Sequence, residues 1–130
     1  MNPPADDFQR AVDSDNVPSI IQALKALDTE ACAERLAAII PLLDHKSFAV
    51  REAALRVVGD LSAPGALPKI LERADRRQEK DRHVRRQAIL SLSSFRGPEV
   101  ERALRFALGD PALNVREDAQ RVLDAVTAEG

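Results

Sequence analysis

Apolar positions recur along the chain at helical spacing, and three stretches share one pattern. They are AVREAALRVVGDL (residues 49–61), HVRRQAILSLSSF (residues 83–95) and NVREDAQRVLDAV (residues 114–126). Val50, Val84 and Val115 align, followed by Arg51, Arg85 and Arg116. Then come Ala54, Ala88 and Ala119, and after them Val58, Leu92 and Leu123. Valine, alanine and the next large apolar residue fall on one stripe of a helix, which Leu61, Phe95 and Val126 extend. The copies start 34 and then 31 residues apart, a period in the range of helical solenoids. The small alanine in mid-stripe lets another helix approach closely. The arginine lies about 100° round from the valine, at the stripe's edge. One position past the alanine stand Leu55, Ile89 and Gln120. An apolar side chain there can pack on the next unit, whereas glutamine suits a terminal unit with a polar outer face.

Each copy is preceded by a second helical stretch: residues 34–43 (ERLAAIIPLL), 64–74 (PGALPKILERA) and 98–108 (PEVERALRFAL). The unit is helix, turn, helix. The stretch ending near Leu43 starts at Asp28 and Thr29, and Pro41 should kink its last turn. Ser47 or Asp44 is placed to cap the helix carrying Val50. Upstream, Asp6 to Ser14 forms a short helix with Phe8, Ala11 and Val12 on one side. Asp15 and Asn16 read as a turn. A second helix follows Pro18, with Ile20, Ile21, Leu24 and Leu27 as its stripe. These two elements lack the Val-Arg signature and read as a degenerate leading cap. Met1 to Ala5 is expected to be loose.

An aspartate, a short gap, Val-Arg, alanine and leucine in that order resemble HEAT repeats. The match is most similar to the short bacterial type also found in phycobilisome bilin lyases. Asp110 and Pro111 with Val115, Arg116 and Ala119 form the fullest match. Asp44 stands one residue further from its Val-Arg pair, and Asp81 two residues nearer, with Asp75 the alternative for that place. The resemblance covers about residues 34–126. It implies an all-α, right-handed α-α superhelix of about three full repeats (34–61, 64–95, 98–126) with a helical cap at 1–33, in one domain spanning 1–130. It also implies a structural ladder in which Arg51, Arg85 and Arg116 bond across repeats with Asp44, Asp81 and Asp110. Contact of these arginines with a ligand is the other reading. A planar guanidinium can bridge carboxylates and turn carbonyls at once, which lysine does less well.

Composition narrows the function classes. The apolar fraction is 45% and the aromatic fraction 3%, with no Trp or Tyr, so the core is built from Ala, Leu, Val and Ile. A net charge of −2 gives no global pull toward polyanions. The single Cys32 cannot form an intramolecular disulfide and suits a reducing cytoplasm, where the protein is expected to reside. Neither a signal pattern nor an apolar run of membrane-spanning length is present. Charge is unevenly spread. Residues 1–34 carry seven acids and two bases, and residues 72–86 carry seven bases and four acids. Within the latter, Arg73, Arg76, Arg77, Lys80 and Arg82 read as a basic docking patch or as a solvated loop with internal ion pairs. A contact between this basic segment and the acidic head is a third reading.

No catalytic, cofactor or metal site is expected. His45 and His83 lie in no HExxH pattern, and neither has a second histidine at helical spacing. Cys32 reads as a small packed apolar residue. Ser91, Ser93 and Ser94 stand in no nucleophile elbow and read as positions that relax packing or accept a close neighbour. The five glycines sit in no phosphate-binding loop.

The reading that fits best is a non-catalytic protein-protein interaction scaffold, binding one partner protein segment on a concave face lined by the second helices. The solvent-facing positions there are Glu52, Arg56 and Gly59, then Arg86, Leu90 and Ser93, then Glu117, Arg121 and Asp124. That mixed row suits a protein better than a polyanion. Nucleic-acid binding through residues 73–86 is an alternative, disfavoured by the net charge and the missing stacking aromatics. An accessory subunit of a lyase or another enzyme is a further alternative, drawn from the resemblance. The protein is expected to be a monomer or one subunit of a larger assembly, with no membrane contact.

Overall fold

A computed structural model describes residues 4–128. Of the stretch expected to be loose, Met1 to Pro3 lie outside the described residues, as do the last two residues of the polar tail, whereas Pro4 and Ala5 already belong to the first helix. The first described element, α1 (Pro4–Ser14), buries Phe8, as the stripe in this stretch requires. Asp15 turns the chain with φ of 54°. The Asn16 side chain then caps α2 (Val17–Ala26) by accepting from Ser19 N at 3.0 Å, and Pro18 fills a first-turn position where no donor is needed. Ile20 and Leu24 of α2 are buried.

The next helical stretch is more broken than its sequence suggests. It comprises α3 (Thr29–Glu34), α4 (Leu36–Ile39) and a 3-10 turn (Ile40–Asp44) that contains Pro41. Pro41 was the one expected irregularity, yet a second lies at Arg35, with φ −107° and ψ 18°. There the Arg35 N–H is shared between the carbonyls of Ala31 and Cys32. The Arg35 guanidinium also donates to Ala31 O at 3.0 Å, so side chain and backbone compete for one acceptor.

The remaining elements are α5 (Phe48–Asp60), a 3-10 turn (Pro64–Ala66) leading into α6 (Leu67–Ala74), α7 (Arg82–Ser91) with its own 3-10 end (Leu92–Ser94), α8 (Pro98–Ala107) and α9 (Leu113–Thr127). Neither expected cap serves α5. Ser47 makes no side-chain cap bond; its N–H donates to His45 Nδ1 at 2.9 Å. Asp44 instead holds Lys69 Nζ at 2.6 Å.

The helices form a two-layer, all-helical solenoid. One layer is the row α5, α7, α9, extended by α2; the other holds the first helix of each unit. The repeated stripe explains this order. Val50, Ala54, Val58, Val84, Ala88, Leu92, Val115 and Ala119 are all fully buried, and so are Leu55 and Ile89, the positions expected to face the following unit. Each large apolar side chain so placed contributes about 1.5–3 kcal/mol. Gln120, the third member of the Leu55 and Ile89 set, is exposed and bonds Asp124 on its own helix.

The two layers differ in spacing. Helices α5 and α7 meet closely at Gly59, where an added Cβ would stand 2.6 Å from Ser91 Oγ. Ser91 Oγ donates to Leu55 O at 3.1 Å, and Ser94 Oγ donates to Gly59 O at 3.1 Å. Gly59, expected on the exposed face, is therefore buried as a helix contact. In the other layer α6 and α8 barely touch. Among the described residues, no helix is long and apolar enough to cross a membrane.

Candidate interaction surface

The turns between paired helices are tied together by charge. Arg51 presents its Nε to Glu79 Oε1 at 2.8 Å and its Nη2 to Glu79 Oε2 at 2.9 Å, while Nη1 donates to His45 O at 2.8 Å. Arg85 repeats the arrangement one unit on. Its Nε and Nη2 take Asp110 at 2.8 and 3.0 Å, and its Nη1 takes Glu79 O and Lys80 O, each at 3.0 Å. Arg116 uses Nη1 on Asp110 O at 2.7 Å. Each arginine thus holds its own turn by the carbonyls. The first two also reach the carboxylate of the next turn, a bidentate fit that guanidinium geometry favours.

The acids of this ladder are only partly those expected. Asp110 takes its place, with 1% exposure. Asp81 does not pair with an arginine; it caps α7 by accepting from His83 N and Val84 N. Asp44 pairs with Lys69. Asp75, the alternative, binds Arg77. The missing rung is Glu79, 1% exposed. Its signal was in the sequence: Glu79 precedes Arg85 by the same six residues that separate Asp110 from Arg116. The extra methylene of glutamate does not prevent equivalent bonding. Glu79 accepts from the N–H two residues on, at Asp81, as Asp110 does from Ala112.

Much of the basic segment serves the fold. Arg73 adds a second guanidinium to Glu79 at 3.0 Å. Arg76 donates to Phe106 O at 2.8 Å and lies 3.9 Å from the Phe106 ring centroid. Arg77 lies 4.3 Å from the same centroid and pairs with Asp75 at 2.8 Å, an attraction that a ring face offers to cations. The Arg77 bond holds the Asp75 carboxyl down at about 2 and pushes Arg77 up. Lys80 and Arg82 remain exposed.

On the row α5, α7, α9, each helix reaches for the next. Arg56 Nη2 meets Gln87 Oε1 at 3.5 Å. Asp118, 4% exposed, accepts from Arg86 Nε and from Arg121 Nη2. The two arginines are still 46% and 65% exposed, so their outer edges face solvent while their inner edges are fixed. Leu90 and Glu52 are half-buried, and Glu117 is exposed. Asp118 could not be foreseen, since its counterparts in the other copies are Ala53 and Gln87.

The cap is attached by Asp15. It accepts from His45 at 2.7 Å and from Lys46 Nζ at 3.1 Å. Because His45 Nδ1 accepts from Ser47 N, Nε2 carries the proton given to Asp15. These two bonds, His45 first, hold the Asp15 carboxyl below its usual range. Lys69 is raised by its bond to Asp44. Burial raises the Cys32 thiol; it lies 6% exposed beside a cavity of about 150 Å³ lined also by Leu24, Val57 and Leu61.

A larger groove of about 450 Å³ opens where α6 and α8 stand apart, floored by Leu71, Ala74, Ala103 and Phe106. Nothing in the repeat pattern announces it. Among the described residues no group of three His, Cys, Asp or Glu is arranged to hold a metal ion.

The family model for HEAT repeats matches residues 36–124. No curated protein and no solved structure matches the chain.

Proposed function

Since the chain belongs to the HEAT-repeat family, whose arrays commonly serve as protein-interaction scaffolds, we propose that it is a non-catalytic scaffold or adaptor that binds a partner protein on the face formed by α5, α7 and α9. One observation carries this reading: buried Asp118 fixes Arg86 and Arg121 while leaving their outer edges exposed. Guanidiniums held in advance lose less freedom on binding than mobile ones. Arginine so placed is a common anchor in protein interfaces. Leu90 supplies an apolar step between them and Arg56. The mixed charges of Glu52, Arg56, Glu117 and Arg121 match a protein segment better than a uniform polyanion.

Contacts within the protein also weigh against nucleic acid. Arg73, Arg76 and Arg77 are engaged with Glu79, Phe106 and Asp75, so that Lys80 and Arg82 are the bases of the patch left without an ion-pair partner among the described residues. The test is affinity purification of the tagged protein from its native cells, with and without nuclease, beside a variant combining Arg56→Glu, Leu90→Ser and Arg121→Glu. A stoichiometric protein that survives nuclease and is lost by the variant supports the reading. A partner retained by the variant, or recovery that collapses with nuclease, rejects it.

A further inference from the structure

The first residues of α5, α7 and α9 are Phe48, Arg82 and Leu113. Each stands two residues before its unit's valine, so the three form a row along the edge where the paired helices turn. Phe48 is 53% exposed and Leu113 59% exposed. They are the two large hydrophobic residues that are exposed among the described residues. Between them lie Arg82 and Lys80, both exposed and without an ion-pair partner among the described residues. The acids of this edge are spoken for. Glu79 and Asp110 are buried under arginines, and Asp81 accepts two amides of α7. The edge is therefore apolar, cationic, apolar in sequence, and it uses the part of the basic segment that the fold leaves unused.

We propose that this edge docks an acidic segment of a partner protein, with one apolar side chain on Phe48, another on Leu113, and a carboxylate between them against Lys80 and Arg82. Charge complementarity and spacing define the occupant. Neighbouring packed helices stand about 8–10 Å apart, so Phe48 and Leu113 are about 20 Å apart. An extended chain covers that distance in about six residues, with the carboxylate midway. Two apolar anchors at alternate ends supply contact area, and the charge pair supplies register and orientation. Arg56, Leu90 and Arg121 lie eight residues further along the same three helices, about 12 Å away, so the edge row adjoins the proposed face and each set can be substituted independently.

The experiment is selection of a phage-displayed random peptide library on the full chain, followed by fluorescence anisotropy of the recovered peptides. Binding is compared with Phe48→Ser, Arg82→Glu and Leu113→Ser, and with Lys25→Glu and Arg105→Glu, on other helices, as controls. All five side chains are exposed, and circular dichroism checks each fold. The expected peptides carry an acid between two apolar residues. Each edge substitution weakens them about tenfold, as loss of an interface anchor does, and the controls leave them unchanged. Peptides lost only by the controls, or none of this pattern, would overturn the proposal. So would a single-stranded oligonucleotide that binds the same edge more tightly than the peptides and is released steeply by salt.

Discussion

Arg51 and Glu79, 28 residues apart in sequence, meet in a two-pronged pair at 2.8 and 2.9 Å between adjacent turns. Glu79 is 1% exposed, and the Arg51 side chain is 14% exposed. The pair joins two units that otherwise touch through apolar stripes, and it places their turns in register. Arg85 and Asp110 do the same at the next junction. The ladder thus organises the edge, while the stripes of α5, α7 and α9 organise the core.

Close packing at Gly59 gives a direct prediction. Gly59→Val drives two methyl groups into Ser91, whose Oγ stands 2.6 Å from the site of an added Cβ. Overpacking of this kind costs about 1–3 kcal/mol. Urea unfolding of Gly59→Val should show that loss, and the double variant Gly59→Val, Ser91→Gly should recover part of it.

Asp118 predicts an asymmetry. Asp118→Ala removes the acid and lets Arg86 and Arg121 turn to water, at a cost of about 1 kcal/mol. Replacing both arginines by alanine strands a buried carboxylate and costs about 2–3 kcal/mol. Chemical denaturation orders the two variants. In Asp118→Ala, NMR relaxation of the two arginine Nε–H groups should also report faster motion.

Asp75 predicts a pH dependence. Its carboxyl titrates near 2 rather than 3.8, chiefly through the Arg77 bond. A depressed folded value means that its stabilising contribution is present above about pH 4 and is lost as pH falls toward 2. Arg77 is 71% exposed, so solvent screening limits the effect to about 1 kcal/mol. The stability gap between the native chain and Asp75→Asn should therefore shrink between pH 5 and pH 2.

Cys32 should react slowly. It is 6% exposed and its thiol is raised by burial, which suppresses the reactive thiolate. A thiol-reactive dye should label the folded protein far more slowly than the protein in urea. Rapid labelling of the native chain would show that the packing around α3 opens readily.

The fold was legible because it is written three times. Val50, Val84 and Val115 with their alanines mark a helix stripe whose repetition allows one stacking arrangement. The break at Arg35 was not legible, because no proline or glycine marks it; there Ala31 O accepts from both the guanidinium and the backbone N–H of Arg35. Spacing alone puts Gly59 on the surface, because it does not say how closely α5 and α7 approach. The ladder was half legible. The arginines declare themselves by position, whereas residue type points to Asp81 or Asp75 and the rung is a glutamate, Glu79. The groove beside Phe106 lies between α6 and α8, and the repeat signature, carried by the second helices, is silent about their spacing.

The most direct test of this account is a pair of double-mutant cycles measured by urea unfolding. One combines Arg51→Ala with Glu79→Ala, and the other combines Arg51→Ala with Asp81→Ala. A coupling of about 2 kcal/mol is expected in the first, within the range of residues sharing a buried charge network. In the second, the effects should add to within about 0.5 kcal/mol. Additivity with Glu79 and coupling with Asp81 would contradict it, and would return the rung to the aspartate.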